Sequence, residues 1–160
     1  MSKSLKRVET ALSAAGVDYD LREMPGETRT AAQAAEAAGC HIDQIAKSIL
    51  MAGQGSGDLT LFITPGGHLV DEAMAEALTG EAMTRPDANR VRTVTGFAVG
   101  GVAPVGHKTP IAVYFDRVLE GFDVIWAAAG TPRHIFAIAP QVLCDISGAK
   151  TANFSVTPKA

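Results

Sequence analysis

Ile45-Ala46-Lys47-Ser48-Ile49-Leu50-Met51-Ala52, then Gly53-Gln54-Gly55-Ser56-Gly57-Asp58, then Leu59-Thr60-Leu61-Phe62-Ile63-Thr64, is the passage on which the fold turns. Two apolar runs of strand length flank a polar, glycine-rich turn, which is the pattern of a β-hairpin. Within the first run Lys47 is the only charged residue. Alternation along a strand points it away from the side occupied by Ala46 and Ser48. Two readings of it stand. A lysine on an edge strand can snorkel its ammonium into water. The same ammonium can offset charge on a phosphate or on a developing ester oxyanion.

Outward from the hairpin the chain alternates helices and strands. Residues 4–15 place Leu5, Val8, Leu12 and Ala15 on one helical stripe that ends at Gly16. Val17 to Met24 reads as a strand stopped by Pro25-Gly26. Thr30 opens an alanine-rich helix to Ala38, with Gln33 as its capping-box partner and Gly39 as its stop. Beyond the hairpin, Pro65-Gly66-Gly67 is a turn, Val70–Leu78 a helix ended by Gly80, and Ala82–Thr84 a short strand. Pro86 sits at the first turn of a helix running to about Val94. Ile111–Phe115, Val124–Ala129 and His134–Ile138 are strands, and Pro140 to Ile146 is a last helix. Thr151–Ala160 reads as a loose tail. Strands and helices without regular βαβ alternation indicate an α+β fold, a mixed and mostly antiparallel β-sheet flanked by helices. The expected organisation is one domain over residues 1–150 and a C-terminal tail over 151–160.

Composition narrows the function. The chain has 160 residues, 47% of them hydrophobic, enough for one real core. Its apolar runs are too short to span a membrane, and the charged start is not followed by the apolar segment of a secretory signal. Cys40 and Cys144 are few and far apart, which suits free thiols and a cytoplasmic location. A formal charge of −3 argues against a protein that coats DNA or RNA nonspecifically. A local excess does exist: residues 85–108 carry Arg85, Arg90, Arg92 and Lys108 against Asp87 alone. That excess fits a grip on a short RNA end or an ordinary solvated face.

The second informative stretch is Gly100-Gly101-Val102-Ala103-Pro104-Val105-Gly106-His107. A double glycine lets main-chain N–H groups approach a ligand closely, and Pro104 fixes the path. Such a loop serves anion binding or oxyanion stabilisation, or is simply a tight connection between helix and strand. No Ser-His-Asp pattern and no Gly-x-Ser-x-Gly elbow is present. Cys40-His41 and the distant Cys144 lack metal-ligand spacing, and Gly53–Gly57 is not followed by the lysine of a phosphate-binding P-loop. Neither metal nor cofactor is expected. His134 is either a hydrogen-bonded strand histidine or a group that contacts substrate or positions water. His107 reads as exposed, and His41 and His68 as surface residues. Arg29 reads as solvated rather than facing a cleft, and Asp116 as a cap for the turn after it.

Four segments together resemble the YbaK/EbsC family, relatives of the editing domain inserted in bacterial prolyl-tRNA synthetases. They are Thr30-Ala31-Ala32-Gln33-Ala34-Ala35-Glu36, Gln44-Ile45-Ala46-Lys47-Ser48, Thr95 through Gly106, and Ala128-Ala129-Gly130-Thr131-Pro132. The resemblance runs from about residue 4 to residue 148. It implies a barrel-like sheet and a free-standing trans-editing deacylase. Such an enzyme hydrolyses the ester joining a wrong amino acid to the 3′ end of a tRNA, with the terminal adenosine's own hydroxyl helping to position water. It implies that Lys47 contacts the tRNA end and that Gly100, Gly101 and Pro104 surround the scissile ester. His134 resembles a histidine of the branches that clear alanine, serine, threonine or 2-aminobutyrate, which the cysteine-clearing YbaK branch lacks. Lys47, Gly100, Gly101 and His134 are therefore the expected catalytic set. Thr30, Val102, Ala103, Pro104 and Gly130 are expected at the substrate, and Lys47, Arg92, His107 and Lys108 at the tRNA. The expected partners are aminoacyl-tRNA, tRNA(Pro) foremost, and prolyl-tRNA synthetase, with no membrane and no DNA. Two other functions fit the same residues: a module that holds a tRNA end or a synthetase without cleaving anything, and a Schiff-base enzyme using Lys47 as nucleophile.

Overall fold

A computed structural model describes residues 2–158. Helix α1 (Lys3–Ala15) is capped by the Ser2 hydroxyl, which accepts from the Leu5 N–H, and it buries Leu5, Val8 and Leu12. Each such side chain contributes roughly 1.5–3 kcal/mol by leaving water. Strand β1 (Asp20–Glu23) is the short ordered part of the 17–24 segment. Helix α2 (Ala31–Ala38) has the expected capping box: the Thr30 hydroxyl accepts from Gln33 N–H, and the Gln33 side chain accepts from Thr30 N–H. A single 3-10 turn, Ile42–Gln44, leads into β2 (Ala46–Gly53), which the polar turn joins to β3 (Leu59–Pro65).

The next segments are β4 (Leu69–Val70), α3 (Glu72–Thr79), β5 (Met83–Thr84) and α4 (Ala88–Thr95). Two boundaries differ from the sequence reading. Val70 belongs to a strand rather than to a helix, because Asp71 caps α3 by accepting from Met74 N–H. Pro86 lies ahead of α4, whose cap is Asp87, accepting from Arg90 N–H. The chain finishes with β6 (Ala112–Asp116), β7 (Ile125–Ala128), β8 (His134–Ile138), α5 (Pro140–Ile146), β9 (Lys150–Ala152) and β10 (Ser155–Val156).

The main sheet has strand order β5-β2-β3-β6-β9. Its β2–β3 and β2–β5 pairings are antiparallel, and β3–β6 and β6–β9 are parallel. Strand β3 is buried along its whole length, as a central strand must be. A second, antiparallel sheet has order β1-β8-β7. The two meet where Ile45 bridges Trp126 in parallel. The architecture is the expected α+β one with mostly antiparallel pairing, but it is not a closed barrel: β5 and β9 remain edges of the main sheet.

The expected loose tail is corrected over residues 151–156. Strand β9 pairs with β6, and β10 pairs with β4 through Ser155–Val70 and Val156–Leu69. Phe154 is fully buried against Phe62 and Ala75, with its ring edge-on to Phe62 at 5.1 Å. Asp116, besides capping the turn after it through Val118 N–H, accepts the Ser155 hydroxyl at 2.7 Å. Lys159 and Ala160 lie outside the described residues.

Candidate active site

Where the two sheets meet, a cavity of about 290 Å³ opens between the start of α2, the first half of β2, the 99–102 bend and the β7–β8 hairpin. Thr30, Lys47, Gly100, Gly101, Val102 and His134 all line it. Ile45, Trp126, Ala127 and Ile135 supply apolar wall. The strand lysine and the double glycine, more than fifty positions apart in sequence, are thus brought to one cavity by the pairing of β2 and the placement of the loop beside β7. A larger crevice of about 500 Å³, between Asp58, Glu81, Arg90 and Tyr114, contains none of these residues.

Lys47 is half-buried and does not snorkel freely into water. Its Nζ donates to Gly66 O at 3.3 Å and to His68 O, so two carbonyls of the turn after β3 hold the ammonium. Among the described residues the third proton has no acceptor, which leaves it for a ligand. Burial lowers the Lys47 pKa, and the nearby Asp43 carboxylate partly opposes that shift. Asp43 itself accepts from Gly67 N–H at 2.9 Å.

The surface reading of His68 is corrected. Its ring is buried, with Nδ1 3.0 Å from the Ser155 hydroxyl and Nε2 3.7 Å from Asp43. Asp116, Ser155, His68 and Asp43 therefore form a continuous polar chain beneath the turn that holds Lys47. No short motif marks this chain in the sequence, because its members come from positions 43, 68, 116 and 155. His41 is exposed, as expected, and its Nδ1 accepts from Asp43 N–H.

The bend 98–101 is closed by Gly101 N–H donating to Ala98 O at 2.9 Å. That N–H is already spent. The neighbouring Gly100 and Val102 N–H groups have no acceptor within the described residues, and both residues line the cavity. Neither Gly100 nor Gly101 has a positive φ. A Cβ at Gly100 would meet nothing within 4 Å, and one at Gly101 would sit 3.7 Å from Gly130 O. The fold does not need glycine at either position, so what their missing side chains keep open is the cavity.

His134 lies 2.7 Å, through Nδ1, from the Thr131 hydroxyl, which also accepts from Arg133 N–H. In the tautomer in which the Thr131 hydroxyl donates to Nδ1, the imidazole keeps its own proton on Nε2 as a donor for a ligand in the cavity it lines. Ser48 carries no sequence signal of a role. Among the described residues its Oγ, buried in the cavity wall, has no hydrogen-bond partner. Arg29 is solvent-exposed and paired with Glu27 at 2.6 Å, yet it stands at the cavity's edge.

Other expected site residues lie elsewhere. Ala103 and Pro104 are buried in the core beyond the bend and do not line the cavity. Gly130 stands behind the bend, pressed on α1: a Cβ there would sit 2.9 Å from Ser4 O, and its φ of +91° suits glycine. Arg92 and Lys108 are exposed but away from the cavity. His107 is not exposed. Its Nε2–H donates to Ala103 O at 2.7 Å, its ring meets Phe97 edge-on, and burial lowers its pKa. Among the described residues no group of three or more His, Cys, Asp or Glu side chains is placed to hold a metal ion.

The chain is similar to known proteins along most of its length. The aminoacyl-tRNA editing domain family matches residues 25–146. A solved structure described as "a putative trans-editing enzyme for prolyl tRNA synthetase" superposes with a TM-score of 0.88 at 39% identity, covering 98% of this chain and 99% of that one. The hypothetical protein APE2540 superposes with a TM-score of 0.86 at 28% identity, over 94% of this chain and 99% of that one. The uncharacterized protein YwhH of Bacillus subtilis (strain 168) is 29% identical over 147 residues, 92% of this chain and 93% of its own.

Proposed function

This chain belongs to the aminoacyl-tRNA editing domain family, and from that premise we propose that it hydrolyses the ester joining a small, wrongly attached amino acid to the 3′ end of a tRNA, tRNA(Pro) foremost. The observation that carries the reading is that Lys47, the double-glycine bend and His134 line one cavity with apolar walls. Water attacks the ester carbonyl, the tetrahedral oxyanion collapses, and the ribose oxygen leaves with a proton. The products are the free amino acid and a tRNA with its terminal hydroxyl restored.

The residues divide the work by their chemistry. Lys47, clamped by two carbonyls, directs its remaining N–H at the acceptor end or the ester oxygen. The free N–H groups of Gly100 and Val102 polarise the carbonyl; one well-placed donor of this kind is worth about 2.7–4 kcal/mol of transition-state stabilisation. His134 orients the substrate's amino or hydroxyl group through Nε2–H. No protein nucleophile is required, and water is the only co-reactant. The amino acids proposed for removal are small ones: alanine, serine, threonine, cysteine and 2-aminobutyrate. A binding site separates neighbours differing by one methylene by only about 1–3 kcal/mol, so a second, size-excluding cavity corrects what the first selection lets through.

A second reading has its own observation. Gly101 N–H is tied to Ala98 O, so one candidate donor is withdrawn, which suits a module that holds a charged tRNA end without cleaving it. The deciding experiment incubates the protein with tRNA(Pro) charged with each of those five amino acids and follows loss of the ester. Release of at least one, abolished in Lys47→Ala, is expected. Intact ester in every case, with tRNA still bound, would establish the binding module instead.

A further inference from the structure

We propose that the face of α1 carrying Lys3, Lys6 and Arg7, with Lys108 beside it, is the surface on which the phosphate backbone of the tRNA acceptor stem lies while its 3′ end occupies the cavity. The inference rests on the editing reading above and extends it to a second contact region outside the cavity.

Spacing is the first support. Lys3, Lys6, Arg7, Thr10 and Ala14 fall on one helical stripe, opposite the buried Leu5, Val8 and Leu12. With Gly106 and His107 the stripe forms an open groove of about 540 Å³. Among the described residues no carboxylate lines that groove, and Glu9, the one acid of α1, does not reach it. In a chain of net charge −3 this is a concentration of one sign, not an averaged solvated face.

Arg7 is also held in place. Arg7 Nη1 donates to Gly96 O at 3.0 Å, and its guanidinium lies 5.6 Å over the Phe97 ring. Lys108 stands beside it at the same glycine: a Cβ at Gly96 would meet both the Arg7 guanidinium and, at 3.1 Å, Lys108 Cγ. Gly106 packs so closely that its Cβ would sit 3.1 Å from Arg7 O. The groove is therefore a built edge between α1 and the 96–108 segment.

Continuity with the cavity is the third support. Gly101 lines the cavity, Gly130 O lies 3.7 Å from where a Gly101 Cβ would be, and Gly130 in turn abuts Ser4 O. The first turn of α1, which starts the basic stripe, therefore lies one residue, Gly130, away from the cavity wall. A ligand with a small group in the cavity and a run of negative charge leading out of it matches this layout. Lysines fit phosphates as point charges and read no base. An anionic membrane is the other candidate polyanion, but a helix that enters an interface needs an apolar face free to insert. The apolar face of α1 is buried in the core.

The test compares binding of uncharged tRNA(Pro) to the unaltered protein, to a Lys3→Glu/Lys6→Glu variant, and to an Arg117→Glu/Lys150→Glu variant. The last pair carries the same change of net charge at exposed positions away from the groove. The expected result is an affinity about tenfold or more weaker for the first variant, with the slope of log affinity against log salt shallower by about 2, one for each phosphate no longer neutralised. The control pair should retain its slope. Equal weakening in both variants would reduce the effect to net charge and overturn the proposal. So would unchanged affinity in the first variant, or binding of phosphatidylserine vesicles in place of tRNA. Hydrolysis of the charged tRNA(Pro) series is measured alongside on the unaltered protein. Intact ester in every case would sink the editing reading while the titration with uncharged tRNA still decided the groove.

Discussion

Gly100 is the residue whose substitution separates fold from function most cleanly. Its φ is not positive, and a Cβ would meet nothing within 4 Å among the described residues. Gly100→Ala should therefore leave the melting temperature unchanged or raise it by about 1–4 °C, since alanine loses less chain entropy on folding. The methyl group would stand in the cavity, where in the proposed reaction the ester approaches the Gly100 and Val102 N–H groups. Deacylation, measured as kcat/KM, should fall about tenfold or more. A stable variant with full activity would remove the bend from the reaction. The residues around it show what a sequence can and cannot reveal. Lys47 and the double glycine are visible because each breaks a local pattern. Ser48, with its unpartnered Oγ, breaks none, and His68 resembles a surface histidine until β10 is laid over it.

At the level of secondary structure, most of the elements are legible because their signals are local. The capping box at Thr30 and Gln33 is one, and the polar turn between β2 and β3 is another. What escapes depends on pairing across long separations. Strand β6 joins β3 in parallel only because β4, α3, β5 and α4 intervene to carry the chain back, and parallel pairing needs such a crossover. Strands β9 and β10 are three and two residues long, too short to give a period, so the polar composition around them reads as a tail. Phe154 is the exception inside that stretch, and it anchors the segment. Phe154→Ala should cost about 3–5 kcal/mol in urea unfolding, the range for an aromatic ring removed from a closed core. A cost under about 1 kcal/mol would show that the segment is not part of the cooperative unit. Because Ser155 hydrogen-bonds both Asp116 and His68, the same substitution acts on the turn that holds Lys47.

For the whole molecule, acid sensitivity has an identifiable source in His107. Burial disfavours its charged form, so its folded pKa lies below the ordinary value of 6.5. Between those two values the unfolded chain binds more protons than the folded one, and stability rises with pH. The contribution is complete above about pH 6.5 and is lost as pH falls through that window. The fall in melting temperature from pH 7 to pH 5 should be smaller in His107→Gln, which keeps a donor for Ala103 O and does not titrate. An identical fall in both proteins would place the acid sensitivity elsewhere. The two sheets carry a consequence of another kind. Ile45 and Trp126 are the bridge between them, and the cavity lies along that junction. Its width is the gap between two separately hydrogen-bonded plates, like the opening of a pair of calipers. Repacking beneath either plate re-gauges that opening without touching a wall residue. A lineage on this scaffold can therefore change the size of group its cavity admits through substitutions far from the jaws.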